Sequence, residues 1–248
     1  MTLDLYLIKK KKLSKYKNIL GVILARGNSK GIKNKNLLKI NNKSLIEIAI
    51  NNSLKSKRLN KIVFSSDSNK LINEAKKKIK VLFKRPKKLA QDKTSSYEVI
   101  KHAIKWLKTN ENWETDIVVI LPPTSPFRKA KHIDKVIDLL IKTNSQAAMT
   151  ITEPSYPPYW MFKKANKGYK FILPEGINIQ RRQDTPLVYQ PSGMVYALKS
   201  DFLFKMKGIL PQGKTSGLFV NREESINIDS YLDYELAKLL DKKNYKLK

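Results

Sequence analysis

The sequence predicts an α/β fold in which a mainly parallel sheet carries helices on both faces, and three observations lead to that expectation. Short apolar runs of strand length alternate along the chain with longer segments whose apolar residues recur at helical spacing. The first run, ILGVILA at 19–25, is apolar on both alternating faces, as in a central strand covered by helices on each side. Two helical segments open with Ser followed three residues later by Glu, the capping box that starts a helix.

The elements after this first strand follow in order. Ser44 and Glu47 form the first capping box and start a helix with an apolar stripe. KIVFSSD at 61–67 is predicted to be the second strand, and KVLFKRP at 80–86 a third strand that its proline ends.

The alternation continues through the middle of the chain. Ser95 and Glu98 form the second capping box, which opens the next helix. DIVVIL at 116–121 predicts a fourth strand, which the two prolines after it stop. A helix with one apolar face over 133–141 and a fifth strand, QAAMTI at 146–151, come next.

The length fits one sizeable core, so we expect a single domain over 19–248, preceded by a basic arm at 1–18. Prolines, aromatics and short polar runs interrupt the alternation from 152 to 192 and indicate an irregular insertion. The loop Pro211–Gly217 and a final helix, Tyr231–Leu240, are expected to complete the fold without taking part in chemistry.

Composition excludes several kinds of site. The 248 residues contain no cysteine, which rules out a disulfide framework, a thiolate metal site and a cysteine nucleophile. Both histidines, His102 and His132, fall in helical segments without a second ligand at metal-binding spacing. The N-terminal charges follow the apolar patch, unlike in a secretory signal, and no apolar stretch approaches the roughly 18 to 20 residues that cross a bilayer. We therefore expect a cytoplasmic protein with no membrane partner.

The formal net charge of +29 invites a nucleic-acid-binding interpretation. The lysines, however, are spread over nearly every segment, Lys greatly outnumbers Arg, and Asn and Ile are abundant, as an AT-rich coding sequence would produce. A protein that binds nucleic acid more often concentrates arginines and aromatics on one face. The distribution of charge therefore argues against a nucleic-acid partner, and KKKK at 9–12 is interpreted as a solvated part of the arm.

Polar and charged side chains follow four of the predicted strands. The segment 26–36 follows the first strand, Asp67 the second, Arg85 ends the third, and the segment 124–128 follows the fourth. The carboxyl ends of parallel strands meet at one edge of the sheet, where open α/β folds bind ligands. The sequence therefore predicts a crevice at that edge to which four loops contribute.

The loop RGNSKG at 26–31 suits a polyphosphate, because glycines let main-chain N–H groups turn toward a ligand and Arg26 and Lys30 add positive charge. The loop matches neither the P-loop pattern, since Gly-Lys-Ser/Thr is missing at the required spacing, nor the GxGxxG dinucleotide pattern. Taken alone, it could equally be a surface turn of a lysine-rich protein.

Six blocks of the chain together resemble the acylneuraminate cytidylyltransferase family, whose members join CMP to sialic acid and related nonulosonic acids. In chain order these blocks are ILARGNSKGIKNKNL, VFSSDS, KRPKKLAQDKTSS, LPPTSPFR, RRQDTPLVYQPSGMVYAL and SINIDSYLDYELA, which together span roughly residues 19–240. The resemblance implies a Rossmann-like fold of the nucleotide-diphospho-sugar transferase type and CTP as co-substrate. The related 3-deoxy-octulosonate cytidylyltransferases share fold and chemistry but usually lack the RRQD stretch.

Positions in that resemblance imply roles for the nucleotide side of the site. The residues that match the loop holding the CTP triphosphate and base are Arg26, Ser29, Lys30, Lys35 and Asn36. Arg85 and Ser96 match positions that contact the cytosine, although Arg85 could instead pair with an acid such as Asp92. Attack of the sugar's anomeric hydroxyl on the α-phosphorus expels pyrophosphate, so cations and amides at the equatorial and leaving oxygens stabilise the transition state. The residues expected to be catalytic are Arg26, Lys30 and Asp229.

For the acidic nine-carbon sugar, the resemblance implies Arg182, Ser192 and Tyr196. The guanidinium of Arg182 is a natural fork for the sugar's carboxylate. This chain departs from the family in reading Ser-Gly-Met at 192–194 instead of Asn-Gly-Ala, and in having Pro122, which has no hydrogen-bond donor, instead of Gln before Pro-Thr-Ser-Pro. We therefore expect a reshaped acyl pocket, and a substrate that is sialic acid, legionaminic acid or another relative.

The late block departs from the family at the expected metal site. Relatives read Ile-Asp-Ile-Asp there and bind Mg²⁺ with these carboxylates, whereas this chain reads Ile-Asn-Ile-Asp at 226–229. Mg²⁺ commonly takes one or two carboxylates plus substrate phosphates and water, so the expected ligands are Asp229, the Asn227 carbonyl and CTP. Asp229 could instead cap the final helix.

The resemblance further implies a homodimer, in which 152–192 forms the interface and contributes to the neighbour's sugar site. Two alternatives remain open. One is a 3-deoxy-octulosonate-type cytidylyltransferase, and the other is a non-catalytic relative whose positive surface binds polyanions. The residues whose joint presence favours an enzyme over a decayed site are Arg26, Lys30, Arg85, Arg182 and Asp229.

Overall fold

The computed structural model describes residues 16–28, 31–209 and 213–242, so most of the basic arm lies outside the described part. The strands in these ranges are β1 (Ile19–Leu24), β2 (Lys39–Ile40), β3 (Lys43–Ser44), β4 (Lys61–Ser65), β5 (Ile117–Ile120), β6 (Ala147–Thr152), β7 (Phe162–Lys164), β8 (Tyr169–Phe171), β9 (Gln190–Lys199) and β10 (Thr215–Phe219). The α-helices are α1 (Leu45–Leu54), α2 (Asn69–Lys76), α3 (Ser96–Glu111), α4 (Ala130–Thr143), α5 (Ser200–Met206) and α6 (Tyr231–Lys242).

Six of these strands form the central sheet, in the spatial order β10-β6-β9-β5-β1-β4. β1 lies between β4 and β5 and pairs with both in parallel, and β6 pairs in parallel with β10. Within this sheet β9 alone runs antiparallel to its neighbours, β5 and β6. The expectation of a mainly parallel sheet is confirmed, and β1 is buried along nearly all its length, as a central strand should be.

Helices cover both faces of the sheet, as expected. α1, α2 and α4 contribute their apolar stripes to one core cluster, and α3 and α5 contribute theirs to the other. Ser44 and Ser95 start α1 and α3: each hydroxyl oxygen accepts a hydrogen bond from the N–H of the Glu three residues on, at 3.1 and 3.3 Å. Over the described residues, no helix combines the length and the apolar character that a membrane span requires.

The predicted third strand at 80–86 is wrong. The segment is irregular and has no strand partner among the described residues; the N–H of Arg85 donates to the carbonyl of Ser66 at 2.8 Å, just beyond the end of β4. Its apolar side chains, Val81, Leu82 and Phe83, pack against the two core clusters. The strand-like composition therefore reflects side-chain packing at the edge of the sheet and not strand pairing.

The expected loop Pro211–Gly217 is wrong in its second half. Thr215 begins β10, which lies at the edge of the sheet and pairs with β6 from Thr215 opposite Ala147 to Phe219 opposite Ile151. Residues 210–212 lie outside the described ranges. Parallel pairing with β6 supplies the backbone partners that a short polar segment needs to form a strand.

The irregular insertion, expected at 152–192, covers 153–189 in the structure, because Thr152 ends β6 and Gln190 begins β9. It forms a small unit around the antiparallel hairpin of β7 and β8. Phe162 and Phe171 stack across the hairpin with ring centroids 4.4 Å apart, and the indole N–H of Trp160 donates to the carbonyl of Ile179 at 2.9 Å. Its exposed apolar side chains are Tyr156, Met161, Phe162, Tyr169, Ile172, Ile177, Leu187 and Tyr189. So many exposed apolar groups in a small unit are typical of an interface.

Candidate active site

Two adjacent cavities open at the carboxyl-terminal edge of the sheet, and Leu24 and Arg26 at the end of β1 line both. The first cavity has a volume of about 330 Å³ and is also lined by Gly31, Lys35, Asn36, Pro122, Pro123, Thr124 and Asp229. The second cavity has a volume of about 310 Å³ and is also lined by Arg85, Leu89, Ala90, Gln91, Asp92, Thr94, Ser96 and Val99. The loops that the sequence predicted to converge at this edge therefore meet there.

The loop after β1 is fixed at both ends. The N–H of Gly27 donates to Asp67 Oδ1 at 2.9 Å, which ties the start of the loop to the end of β4. The side chain of Asn36 is buried and donates to the carbonyl of Arg26 at 3.2 Å, which holds the far end of the loop. Three of the residues predicted for this loop, Arg26, Lys35 and Asn36, thus line the first cavity. The other two, Ser29 and Lys30, lie outside the described residues.

Asp229 faces the first cavity from the segment that precedes α6. Its Oδ1 forms an ion pair with Lys35 Nζ at 2.7 Å, and its Oδ2 accepts a hydrogen bond from Asn227 Nδ2 at 2.6 Å. The side chain of Asp229 nevertheless remains 66% exposed. A Cβ atom at Gly31 would lie 2.4 Å from the carbonyl oxygen of Asp229, so glycine is required for the two loops to pack this closely.

Asp229 does not cap α6, and that alternative interpretation is wrong. The cap is a reciprocal pair: Ser230 N–H donates to Asp233 Oδ2 at 2.7 Å, and Asp233 N–H donates to Ser230 Oγ at 3.3 Å. Burial acts to raise the pKa of Asp233, but hydrogen bonds from Ser230 and from the Asp229 N–H outweigh it and lower that pKa. Because Ser230 and Asp233 satisfy the helix end, the carboxylate of Asp229 remains directed at the cavity.

Arg85 is held in the second cavity by Ser65. The residue is 4% exposed, its Nε donates to Ser65 Oγ at 3.0 Å, and its Nη2 donates to the Ser65 carbonyl. Burial lowers the pKa of Arg85 to about 10, although the nearby Asp67 carboxylate acts in the opposite direction, so the guanidinium is charged at neutral pH. Asp92, the alternative partner considered for Arg85, forms an ion pair with Arg26 Nη1 at 2.8 Å.

The three residues predicted for the sugar line neither cavity. Arg182 is exposed, at the start of a 3-10 turn in the insertion. Ser192 is buried on β9, and its hydroxyl donates to Thr150 Oγ1 at 2.7 Å. Tyr196, on the same strand, packs against the core cluster beneath α3; burial raises the pKa of its hydroxyl, although the backbone of Gly193 acts to lower it. The structure thus brings the described nucleotide-side residues together and places these three elsewhere.

The loop after β5, which the sequence predicts at the crevice, also connects two distant parts of the site, and the sequence gives no signal for these connections. The carbonyl of Thr124 accepts a hydrogen bond from the N–H of Ile228 at 2.8 Å, one residue before Asp229. The hydroxyl of Ser125 donates to the carbonyl of Gly193 on β9 at 3.2 Å. The prolines of this segment indicate a turn, but they carry no information on which distant residues the turn contacts, so its bonds to Ile228 and Gly193 could not be predicted.

A sequence model of a family described as Cytidylyltransferase matches residues 20–193. The chain belongs to the cytidylyltransferase family. The matched range contains all residues that line the second cavity and all that line the first except Asp229. Family membership therefore concerns the same part of the chain that builds the crevice.

Curated relatives match this cytidylyltransferase over most of its length. It is 31% identical over 226 residues to the post-translational flagellin modification protein B of Campylobacter coli, covering 90% of this chain and 95% of that protein. It is 32% identical over 226 residues to the CMP-N,N'-diacetyllegionaminic acid synthase of Campylobacter jejuni, covering 90% and 94%. It is also 32% identical over 232 residues to the pseudaminic acid cytidylyltransferase of Campylobacter jejuni, covering 90% and 96%.

A solved structure shares the fold. A CMP:2-keto-3-deoxy-manno-octonic acid synthetase complexed with CTP matches with a TM-score of 0.67, covering 92% of this chain and all of that chain at 15% sequence identity. At this identity the likeness concerns the fold alone. It confirms the predicted α/β architecture.

Proposed function

We propose that this enzyme transfers CMP from CTP to the anomeric hydroxyl of a nonulosonic acid and releases pyrophosphate. The observation that carries the proposal is the pair of adjacent cavities that share Arg26. One cavity offers Lys35 to a triphosphate and Asp229 to the metal ion that would accompany it, and the other offers the buried guanidinium of Arg85 to a pyrimidine edge. The names of the relatives, which refer to legionaminic and pseudaminic acids, support the sugar class.

The triphosphate is assigned to the first cavity. In the reaction the anomeric oxygen attacks the α-phosphorus, the proton of its hydroxyl passes to solvent water, and the bond from that phosphorus to the oxygen of the departing pyrophosphate breaks. Negative charge grows on the equatorial and leaving oxygens, where donors fixed in advance stabilise it. Ion pairs fix Arg26 and Lys35 at this cavity, and we assign Ser29, Lys30 and Asn36 of the same loop to the same task. Loss of one such donor commonly costs about 3 to 4 kcal/mol of activation free energy.

The cytosine is assigned to the second cavity. Selecting cytosine among pyrimidines requires hydrogen bonds to its polar edge, because the ring alone offers little contrast in shape. Arg85 is oriented for that task by its two hydrogen bonds to Ser65, so little side-chain freedom is lost when the base binds. Ser96 lines the same cavity and adds a hydroxyl that can donate or accept.

Asp229 is the proposed Mg²⁺ ligand, and its setting fits that role. Its carboxylate lines the first cavity, is largely exposed and is not used by the helix cap. Such a carboxylate, with phosphates and water, makes up a common Mg²⁺ coordination shell, and the bound ion would neutralise phosphate charge. Asn227 is the second proposed ligand; its amide nitrogen faces Asp229, so its carbonyl oxygen reaches a shared ion only after the amide group turns over.

The sugar side is proposed to be completed by a second copy of the chain. Arg182 lies in the insertion, whose exposed apolar side chains suit a homodimer interface. In such a dimer the insertion would carry Arg182 to the crevice of its neighbour, which accounts for its position outside the cavities of its own chain. Tyr196 and Ser192 would form the rear of the pocket, and Ser192 would act through its main chain because its hydroxyl is bound to Thr150. Since CTP is the co-substrate, we place the enzyme in the cytoplasm.

Pyrophosphate release tests the proposed function. The assay contains Mg²⁺, CTP and one acidic sugar at a time: sialic, legionaminic or pseudaminic acid, or 3-deoxy-octulosonic acid, with UTP in place of CTP as the nucleotide control. Release with CTP and a nonulosonic acid is the expected result. Preference for the octulosonic acid would assign the chain to the related enzyme class, and no release with any sugar would refute the activity in favour of polyanion binding.

A further inference from the structure

Arg128, the last residue of the LPPTSPFR block, is a fully buried charge. The residue is 1% exposed, and no acid in the described ranges lies within ion-pair distance of it. Burying a cation without a carboxylate is costly. A well-packed apolar residue in place of a buried ion is often neutral or stabilising, so stability of the fold alone does not account for an arginine here.

The guanidinium of Arg128 joins the two halves of the site through one atom. Its Nη1 donates to the carbonyl of Pro122 at 2.7 Å and to the carbonyl of Met194 at 3.0 Å. Pro122 lines the first cavity, and Met194 lies on β9 between Ser192 and Tyr196. The nucleotide-side wall is therefore tied directly to the strand that carries the proposed sugar-side residues.

The hydrogen bond from Arg128 to Pro122 also occupies the one polar group that Pro122 could present to a ligand. Proline has no N–H, so the carbonyl is the one polar group of Pro122, and Arg128 binds it. Beside this link, the hydroxyl of Ser125 donates to the carbonyl of Gly193 at 3.2 Å and forms a second connection between the loop and β9. The loop and the strand are thus fixed in one relative position by two buried side chains.

We propose that Arg128 is a positioning residue that sets the nucleotide-side wall against the sugar-side strand, so that the anomeric oxygen and the α-phosphorus meet in line. The proposal rests on the proposed function for the reaction that it serves. In-line attack tolerates little misplacement, because an error of about 1 Å can cost about 100-fold in rate. Arginine suits the task because the two hydrogens of Nη1 lie in the rigid plane of the guanidinium and so point at the two carbonyls in fixed directions, whereas the ammonium of lysine rotates freely and does not impose that geometry.

Two variants of Arg128 and one matched control test this role. Arg128→Lys keeps the positive charge but lacks the planar guanidinium, and Arg128→Met removes both the charge and the two hydrogen bonds while keeping a side chain of similar length. Leu107→Ala is the control, since Leu107 is fully buried in α3 and lines neither cavity, so it lowers stability alone. For each variant, kcat and both KM values are measured per folded molecule, CTP affinity by calorimetry and Tm by thermal unfolding.

Both Arg128 variants are expected to lower kcat by about 10- to 100-fold and to raise the KM for the sugar, while the dissociation constant of CTP changes less than about threefold. Leu107→Ala is expected to lower Tm with kcat unchanged. A lower Tm with unchanged kcat and KM in both Arg128 variants would overturn the proposal and leave Arg128 a residue of structure only. If neither variant folds, Ser125→Ala must shift kcat and the sugar KM in the same direction, and unchanged kinetics there would overturn it equally.

An outcome in which the wild type binds CTP but releases no pyrophosphate would refute the proposed function and not the link itself. Amide hydrogen exchange then tests whether Arg128 couples the CTP-binding side to β9. CTP is expected to slow exchange at residues 192–196 in the wild type and to have no such effect in Arg128→Lys. Equal slowing in both proteins would show that the two halves communicate without Arg128.

Discussion

Replacing Asn227 by Asp tests the proposed metal site sharply, because it turns a hydrogen bond into a repulsion that a cation relieves. In the wild type, Asn227 Nδ2 donates to Asp229 Oδ2 at 2.6 Å, and Lys35 holds the other carboxylate oxygen at 2.7 Å. The substitution keeps the shape of the side chain but places a second carboxylate against Asp229. Without a metal, repulsion between the two carboxylates therefore lowers the stability of the folded protein. With Mg²⁺ bound, the same two carboxylates form a stronger metal site than the wild type has.

The cost without metal follows from this geometry. A hydrogen bond to a charged group contributes about 1.5 to 3 kcal/mol. Two like charges about 4 Å apart add about 1 kcal/mol of repulsion in water and about 4 kcal/mol at the effective dielectric constant of a protein surface. Because Asp229 is largely exposed and Lys35 offsets part of the charge, the lower values apply. We expect Asn227→Asp to lose about 2 to 3 kcal/mol of stability, which corresponds to a Tm lower by about 4 to 12 °C.

Thermal unfolding with and without Mg²⁺, and initial rates over a Mg²⁺ titration, measure both effects. Mg²⁺ is expected to raise the Tm of Asn227→Asp more than that of the wild type. The Mg²⁺ concentration at half-maximal rate is expected to fall about tenfold if the second carboxylate adds about 1.4 kcal/mol of binding free energy. Asn73→Asp, at an exposed position on α2 that lines neither cavity, is the control for the same change in charge. An unchanged or higher Mg²⁺ requirement, without recovery of Tm, would place Asn227 outside the metal shell.

Three further predictions concern other residues. Asp229→Ala is expected to lower turnover by orders of magnitude with little change in CTP affinity, and full activity would dismiss Asp229 as a ligand. Arg85→Met is expected to weaken CTP binding by about 10- to 150-fold, since a hydrogen bond to a charged group contributes about 1.5 to 3 kcal/mol; equal affinity by calorimetry would remove Arg85 from the base site. Burial lowers the pKa of His132 from 6.5 to about 4, although Glu224, 3.5 Å away, acts to raise it. The unfolded chain therefore binds more protons between these values, and Tm should fall as the pH falls from 6.5 to 4. Parallel pH profiles of Tm in the wild type and His132→Gln would contradict this assignment.

Local signals located two of the helices that cover the sheet. A capping serine and a stripe of helical period are complete within one segment, so α1 and α3 begin where Ser44 and Ser95 predicted. A strand depends on a partner that the segment itself does not contain. The segment 80–86 has the composition of a strand, but it meets the end of β4 through the single backbone bond of Arg85 and remains irregular.

The limits of the sequence are clearest at positions that serve distant partners. Ser192 was predicted to face the sugar, yet its hydroxyl is bound to Thr150, 42 residues away in the chain. Asp229 admitted two interpretations because a ligand and a helix cap differ here by one position, and the structure gives the cap to Ser230. Arg128 belongs to the LPPTSPFR block, but it is one of 50 basic residues, most of which are expected at the surface, so nothing in the sequence indicates that this one is buried beneath the crevice.

The high positive charge and the crevice are separate properties of this protein. Cations spread over a surface give a diffuse field that salt screens over about 8 Å at physiological ionic strength. At the cavities, by contrast, Arg26 is paired with Asp92 at 2.8 Å and Lys35 with Asp229 at 2.7 Å, so each cation is oriented before a ligand arrives. A phosphate must take the place of these carboxylates, or a metal must bridge phosphate and carboxylate. We expect a ligand that carries several phosphates, as CTP does, to make such exchanges at both ion pairs, whereas an anion with one phosphate could make only one; this difference would favour a nucleoside triphosphate over the simple anions that a charge of +29 attracts.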